Sequence, residues 1–259
     1  MSFIGSNIMM EKLRRGEISI GTQIRSRNEM AVEIAGLLGF DFIYLETEHF
    51  MCNDETIENI ARAAQGVGTV PLVRVPSQDP EILMHLLDAG VMGVIIPHVE
   101  NGEEARRLVE ACKYPPRGTR GSGMGSRAAS YGLIPKNEYR ELADKNTCVL
   151  FMIESEAAVN RIDEIIDSGV DVIRIGRNDL AESMGLKGNT KDPRVTQVVD
   201  YAISRCKAKG IPVGTAAGSV TAVQEAIAQG FTQISYASDL AILAKAWQKD
   251  LKSIHELLG

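Results

Sequence analysis

The chain has 259 residues, of which 44% are hydrophobic and 24% charged, and it carries a formal net charge of −6 with a pI near 5.4. This composition is too apolar for a disordered chain, and it lacks the basic stripe needed to bind a phosphate backbone. One hydrophobic core fills such a length, so we predict a single domain over residues 1–259.

The amino-terminal sequence and the cysteines predict the cellular compartment of the protein. MSFIGSNIMMEKLRRGE has no sustained apolar run or small-residue cleavage site, and no later stretch is apolar for long enough to cross a bilayer. Cys52, Cys112, Cys148 and Cys206 lie far apart without metal-ligand spacing, which indicates free thiols in a reducing compartment. We expect a cytoplasmic protein with neither membrane nor nucleic-acid partners.

Short segments rich in Val and Ile recur along the whole chain and predict eight strands. In chain order they are Ile18–Ile24, Phe42–Glu46, Val70–Val75, Gly93–Pro97, Cys148–Ile153, Asp171–Ile175, Pro212–Ala216 and Gln233–Tyr236. Between them, apolar residues three and four positions apart predict helices. The clearest are Glu55–Ala64, Glu103–Cys112, Ala157–Ser168, Val195–Lys209 and Val220–Gln229, and helix-ending glycines are expected at Gly90, Gly169, Gly210 and Gly230.

Strands that alternate with helices predict parallel βαβ units, which right-handed crossovers close into a (β/α)8 TIM barrel. The polar segment 114–136 is predicted as an excursion between the fourth and fifth strands. Its GSGMGSR motif raises a competing architecture, the doubly wound nicotinamide-binding sheet. We favour the barrel because this motif follows a Pro- and Gly-rich loop instead of a strand, and its glycines are spaced G-x-G-x-G.

In such a barrel the chemistry lies at the C-terminal ends of the strands, and polar residues follow every predicted strand. They are Glu46, Glu48 and His49 after the second, Arg74 at the third, His98 after the fourth, Glu154 after the fifth, Asn178 and Asp179 after the sixth, Thr215 at the seventh and Asp239 after the eighth. These positions predict one polar rim.

Glu154 and Asp179 are the predicted metal ligands. Each is also placed to cap the helix that follows it. Taken together, two carboxylates on neighbouring strand ends repel each other unless a cation lies between them. Oxygen ligands with open coordination positions suit Mg²⁺, Mn²⁺ or a similar ion.

His49 is the predicted general base, because imidazole titrates near working pH and Glu46 or Glu48 is close enough in sequence to orient it. His98 also follows a strand but has no comparable acidic company. Arg74 requires an anion, either a substrate carboxylate or enolate or, in the alternative, one of the glutamates in an internal salt bridge.

A cation, a base and a guanidinium on one rim predict a reaction that creates an enolate next to a carboxylate, with a 2-oxo acid as substrate. A Schiff-base route would need a lysine at a strand end. Lys113 and Lys136 both lie elsewhere, so the sequence favours a metal route.

Several longer motifs resemble the HpcH/HpaI family of metal-dependent pyruvate aldolases, whose type member is 4-hydroxy-2-oxoheptanedioate aldolase. The motifs are GFDFIYLETEHF, PLVRVP, LLDAGVMGVIIPHVEN, YPPRGTRGSG, FMIESEAAVNRIDEI and GVDVIRIGRNDLAESMG, in this order between about Gly21 and Ser238. The resemblance implies a barrel of the phosphoenolpyruvate/pyruvate type.

The resemblance also implies roles for individual residues. Glu154 and Asp179 would bind a divalent metal, Mg²⁺, Mn²⁺ or Co²⁺, and His49 would accept a proton. Arg74 would stabilise the enolate, and Asp88 would raise the basicity of the histidine from across a subunit contact.

For substrate and assembly the resemblance implies two further features. The backbone at Asn178 and Asp179 would hold the pyruvate carboxylate. The chain would form a homohexamer, a trimer of dimers, in which the last helix, Leu240–Leu258, packs on a neighbouring subunit.

Four positions depart from the family pattern. Glu46 stands where the family usually has Asp, Met152 where it has Gln, Arg177 where it has Pro, and Gln23 near a usual aromatic. We expect Met152 to lie at the substrate site without donating a hydrogen bond, and Arg177 to add a positive charge beside the carboxylate site.

The predicted function is that of a class II aldolase, which reversibly cleaves a 4-hydroxy-2-oxo acid to pyruvate and an aldehyde. His49, oriented by Glu46, would act as the base, and Arg74 would stabilise the enolate. Two alternatives remain open. One is a citrate-synthase-like condensation of oxaloacetate with acetyl-CoA on the same fold, and the other is a barrel that binds a 2-oxo acid without turnover.

Overall fold

The computed structural model describes residues 3–258, which fold into a closed barrel of eight parallel strands paired in chain order, with β8 returning to β1. This confirms the predicted (β/α)8 architecture. The strands are β1 Ser19–Ile24, β2 Phe42–Glu46, β3 Val70–Arg74, β4 Gly93–Ile96, β5 Cys148–Ile153, β6 Val172–Ile175, β7 Val213–Ala217 and β8 Gln233–Ser238.

Helices surround the barrel and alternate with its strands. They are α1 Ile8–Arg14, α2 Glu29–Leu37, α3 Asp54–Gly66, α4 Pro80–Ala89, α5 Gly102–Cys112, α6 Lys136–Asn146, α7 Glu156–Asn160, α8 Ile162–Ile166, α9 Arg177–Ser183, α10 Pro193–Ala208, α11 Val220–Gln229 and α12 Asp239–Leu258. Asn and Ser side chains at the starts of several helices accept backbone N–H bonds, as Asn53 does for α3 and Ser219 for α11.

The apolar residues form two layers. Outward-facing strand residues such as Ile43, Val94 and Ile173 pack under the helices, and inward-facing ones such as Phe42 and Leu150 fill the barrel. Gly21 faces Phe42 in register, and any Cβ at this glycine would overlap the Phe42 ring. The alternation therefore determines which strand residues project into the barrel.

Helix α1 lies across the N-terminal ends of the strands. Its Met9, Met10 and Leu13 join the cluster inside the barrel, and Met9 Sδ accepts a hydrogen bond from the Gln233 amide at the start of β8. This end of the barrel is therefore covered by apolar side chains. The opposite, C-terminal end is the one available for a site.

Most predicted elements are confirmed, and the differences are local. The expected helix Ala157–Ser168 is two short helices, α7 and α8, because Arg161 between them has φ −111° and ψ 17°. The segment after α5 makes the expected excursion before β5, with a short 3-10 turn at Ser130–Gly132. Gly90 and Gly230 end their helices in the left-handed conformation, as expected. Within residues 3–258, none of the helices has the length and apolar character that crossing a bilayer requires.

Candidate active site at the C-terminal end of the barrel

Glu46 and Arg74 form a buried ion pair at the ends of β2 and β3, where the two residues are partners in register. Glu46 is 0% exposed, and its Oε2 accepts from Arg74 Nε at 2.8 Å and lies 2.6 Å from Arg74 Nη2. Burial alone would lower the pKa of Arg74, but the bond and charge of Glu46 raise it above its ordinary value. The internal salt bridge, the alternative left open for Arg74, is therefore present.

Further donors hold the Glu46 carboxylate in place. Gln23 Nε2 donates to its Oε2 at 2.8 Å, and the backbone N–H groups of Glu48 and His49 donate to its Oε1 at 3.0 and 3.4 Å. The side chain of Glu46 thus fixes the loop that follows β2. It orients the backbone at His49, and no hydrogen bond or ion pair joins its carboxylate to the imidazole ring.

Glu48 is the carboxylate that faces the imidazoles. Its Oε2 lies 3.5 Å from His49 Nε2 and 3.1 Å from Arg74 Nη1, and its Oε1 lies 3.1 Å from His98 Nε2. The His49 side chain is 63% exposed, so solvent or a substrate can reach the ring. Glu48 therefore links the predicted base with the predicted enolate-binding cation.

His98 belongs to the site, and the expectation that it lacks acidic company is wrong. Its backbone N–H donates to Glu154 Oε2 at 3.2 Å, and its Nδ1 lies 3.4 Å from the same oxygen. His98 also has φ 57°, in the left-handed region that residues other than glycine rarely adopt. The sequence did contain a signal for this placement, because β4 and β5 are neighbours in the barrel and their ends meet.

Glu154 is buried directly after β5, and the helix cap expected as its alternative role falls to Ser155, whose Oγ accepts from Ala158 N–H. Burial raises the pKa of Glu154, and the charges of Asp179 and Glu48 add to this rise. The backbone hydrogen bond and the charge of His98 act in the opposite direction. Gly176 leaves room for the carboxylate, since a Cβ there would lie 2.7 Å from Glu154 Oε1.

Asp179 lies in the first turn of α9, a helix whose N-cap, Gly176, offers no side-chain cap. Asp179 and Glu154 line the same cavity. Across residues 3–258, no three His, Cys, Asp or Glu side chains are gathered closely enough to hold a metal by themselves. The two carboxylates nevertheless fit a hard divalent ion that takes its remaining oxygen ligands from water and substrate. Their negative charges repel each other, and a bound cation would relieve this repulsion.

The cavity at this end of the barrel has a volume of about 460 Å³. Its walls bring together most of the predicted site residues with several that the sequence did not single out. Among those that the sequence singled out are Gln23, His49, Arg74, Met152, Glu154, Asn178, Asp179 and Thr215, and the others include Arg25, Tyr44 and Thr190. Met152 contacts Arg74, whose Nη1 is 3.6 Å from Met152 Sδ.

The predicted contributions of Asp88 and Arg177 have different outcomes. Asp88 on α4 accepts from Arg120 Nη2 at 2.5 Å and lines a different cavity of the same chain, so its expected action across a subunit contact stays a prediction. Arg177 lines the active-site cavity, but its guanidinium donates to Gln229 on α11, and burial lowers its pKa. The expectation that Arg177 places its charge beside the carboxylate site is therefore not supported.

A further arginine lies below the cavity floor. Arg174 is directed into the barrel, where it donates to Gln233 and to Ser235 Oγ, and its Cζ is 5.4 Å from the centre of the Tyr44 ring. Burial lowers its pKa. Sequence reasoning missed this residue, although its position two before Gly176 on β6 predicts an inward direction.

The fold and the rim of acidic, imidazole and guanidinium groups define a TIM-barrel protein with a polar site at the C-terminal ends of its strands. The chain belongs to the HpcH/HpaI aldolase/citrate lyase family, whose sequence profile matches residues 20–246.

Two aldolases and one citrate synthase are similar to the chain. The chain is 36% identical over 233 residues to a 5-keto-4-deoxy-D-glucarate aldolase of Citrobacter koseri, covering 90% of each chain. It is 36% identical over 232 residues to a 2-dehydro-3,6-dideoxy-6-sulfogluconate aldolase of Pseudomonas putida, covering 89% of this chain and 90% of that one. The crystal structure of the citrate synthase SbnG superposes with a TM-score of 0.85 at 27% identity, over 95% of this chain and 97% of that one.

Proposed function

We propose that the chain is a class II aldolase that reversibly cleaves a 4-hydroxy-2-oxo acid into pyruvate and an aldehyde. The observation that carries this proposal is the cavity shared by Glu154, Asp179, Arg74 and His49. These four residues supply a carboxylate pair, a cation and a base, the groups that formation of an enolate requires. A single domain and a cytoplasmic location, both expected from the sequence, belong to the same proposal.

Glu154 and Asp179 would hold the divalent metal, Mg²⁺, Mn²⁺ or Co²⁺. When bound, such an ion supplies Lewis-acid polarisation of the substrate's carboxylate and ketone oxygens. The backbone at Asn178 and Asp179 lies in the first turn of α9, where N–H groups have no acceptor within the helix, and would bind the substrate carboxylate.

Arg74 would donate to the ketone oxygen on which negative charge develops. The two ion pairs with Glu46 and Glu48 hold its guanidinium in one orientation, so little reorganisation is needed as the charge forms. Met152 at 3.6 Å packs beside the same guanidinium and offers no donor of its own.

His49 would accept the proton of the C4 hydroxyl, directly or through one water, with Glu48 at 3.5 Å orienting the ring. The C3–C4 bond then breaks, the aldehyde leaves, and the electron pair becomes the pyruvate enolate. Protonation at C3 completes pyruvate. The proposed role of Asp88 requires that this residue approach His49 from another subunit.

The test is incorporation of solvent deuterium into the methyl group of pyruvate, with and without Mg²⁺ or Mn²⁺. It reports enolate formation without knowledge of the aldehyde. We expect exchange by the wild type with metal, no exchange after chelation, and a loss on the order of 10³-fold in Glu154→Gln. Exchange that survives both treatments would remove the metal-aldolase proposal.

Condensation of oxaloacetate with acetyl-CoA is the second candidate, because the citrate synthase SbnG shares the fold over 95% of this chain. Free thiol released on mixing the two compounds with the protein would support it, and no release would exclude it. Stabilisation by pyruvate without any methyl exchange would instead indicate the non-catalytic binding barrel.

Assembly is part of the proposal. Not one residue of α12 is buried, and Leu243, Trp247, Leu251 and Ile254 on this helix are exposed. A helix with such a face needs a partner surface. We expect α12 to pack on a neighbouring subunit of a homohexamer, and light scattering of wild type and Trp247→Glu, which should be smaller, tests this expectation.

A further inference from the structure

Arg25 is a cavity-lining guanidinium without an acidic partner. It follows directly after β1 and is half-buried, and its backbone N–H donates to Asp239 Oδ1 at 2.9 Å. Its Nε is shielded from solvent and has no hydrogen-bond partner, and in the described range 3–258 no carboxylate lies within ion-pair distance of its side chain. A buried donor without an acceptor is costly, so this group is suited to receive one from outside.

The other arginines near the cavity already have partners. Arg74 is paired with Glu46 and Glu48, and Arg177 donates to Gln229. Arg174 lies below the floor, bonded to Gln233 and Ser235. Among these four arginines, Arg25 is therefore the one whose guanidinium has no hydrogen bond or ion pair within the described residues.

Strand alternation and two contacts fix the position of Arg25. Gly21 and Gln23 are in register with the inward-facing Phe42 and Tyr44, so strand alternation directs Arg25 inward as well. Its guanidinium lies 5.4 Å from the centre of the Phe50 ring. Asp239 accepts from the N–H groups of both Arg25 and Ser26, which holds the backbone in place.

Barrel topology places this cation opposite Glu154. The strands are paired in chain order, so β1 lies across the barrel from β5, which carries Glu154 at its end. Arg25 and Glu154 line the same cavity, so a substrate whose 2-oxo acid end is bound at Glu154 and Asp179 would reach Arg25 if its other end extends across the cavity toward β1. That end is the aldehyde portion.

We infer that Arg25 is a specificity-determining residue that binds an oxyanion at the far end of the substrate's aldehyde portion. This inference rests on the proposed function. A guanidinium forms two parallel bonds with a carboxylate or sulfonate, so Arg25 would select aldehydes that carry one of these groups at their far end.

The experiment compares aldol addition of pyruvate to succinic semialdehyde, which ends in a carboxylate, with addition to butyraldehyde, which does not. In Arg25→Gln we expect kcat/KM for the charged aldehyde to fall by about 10- to 100-fold, as for a lost bond to a charged group. The value for butyraldehyde, and methyl exchange of pyruvate, should stay unchanged. Arg25→Lys should recover part of the loss.

Arg27→Gln is the matched control, because Arg27 is exposed and donates to the Met51 carbonyl outside the cavity. Equal losses for both aldehydes, or the same loss in Arg27→Gln, would overturn the inference. A 3-sulfopropanal arm distinguishes a sulfonate-selective pocket from a carboxylate-selective one, and either preference supports the role of Arg25.

A binding measurement separates this inference from the proposed function. Thermal stabilisation by 2-oxoadipate, compared with 2-oxohexanoate, should be larger in the wild type, and the difference should vanish in Arg25→Gln. If methyl exchange fails but this difference holds, the aldolase proposal is wrong and the oxyanion site stands. If exchange occurs and neither the aldehydes nor the two acids are distinguished, the oxyanion site is wrong.

Discussion

At its N-terminal end the barrel is filled by Met9, Met10 and Leu13 of α1, which share one apolar cluster with Phe42 and Val70. At the C-terminal end the same strands bury Glu46, most of Arg74 and Glu154. The first arrangement stabilises the fold because it removes apolar surface from water. The second requires each charge to be matched by another charge or by a ligand.

The difference between the two ends divides stability from chemistry along a single barrel axis. Strand β2 begins with Phe42 in the apolar cluster and ends with Glu46 in the ion pair, so one strand serves both purposes. Variants at the two ends should therefore have separable effects on the free energy of unfolding and on pyruvate exchange.

The largest effect is expected from Arg74→Met at the polar end. Removing this cation leaves Glu46 buried and uncompensated, which should lower the free energy of unfolding by about 3–5 kcal/mol. Urea denaturation measures this loss, and methyl exchange should fall by roughly 10²- to 10³-fold. The double variant with Glu46→Met should regain most of the stability but none of the exchange. A single variant as stable as the double one would contradict the argument.

At the apolar end, Met9→Ala should cost about 2–4 kcal/mol, the range for truncating a fully buried side chain. Exchange of pyruvate per folded molecule should not change, because α1 lies at the opposite end of the barrel from the cavity. Met9→Leu is the volume-conserving control and should cost less than about 1.5 kcal/mol. A changed metal requirement or exchange rate in Met9→Ala would show that the two ends are coupled.

Sequence patterns predicted the barrel well because strand alternation and helix periodicity report which faces are buried. They did not report the backbone break at Arg161, since the apolar spacing continues across it from Val159 to Ile165. The motif order between Gly21 and Ser238 added the family, and the family profile that matches residues 20–246 confirms it.

The site was predicted only in part. Residues at strand ends were gathered as expected, but the partner of each charge depends on three-dimensional neighbours. His98 receives its acidic company from β2 and β5, far away in sequence, and Arg177 turns to Gln229 on α11. The charge of Arg25 was overlooked because nothing in its local sequence marks it as unpaired.

Glu154→Gln is expected to change stability less than Arg74→Met or Met9→Ala, and to increase it instead of lowering it. The raised pKa means that the folded state binds this proton more tightly than the unfolded state. The contribution of Glu154 to the stability of the folded state is therefore fully present below the ordinary glutamate pKa, and it is lost as pH rises through the raised pKa. At neutral pH without metal, the variant should therefore have the higher melting temperature, and the difference should shrink in acid. Added Mg²⁺ should stabilise the wild type alone, and a metal-free variant that is less stable at neutral pH would refute the argument.

The smallest effect is expected from an arginine–carboxylate pair that is exposed to water. Arg205 donates to both carboxylate oxygens of Asp163, from Nε at 2.9 Å and Nη2 at 2.8 Å, on the outer surface of the barrel. The Arg205 bond lowers the pKa of Asp163, so any stability from the pair is present above the ordinary aspartate pKa and is lost as pH falls through the lowered value. Because solvent and salt screen exposed charges, Arg205→Ala should leave the neutral-pH melting temperature within measurement error in 0.5 M salt, and pyruvate exchange should match the wild type. A loss approaching that of Arg74→Met would mean that pairing an arginine with a carboxylate, and not burial of the pair, determines what the rim pair contributes.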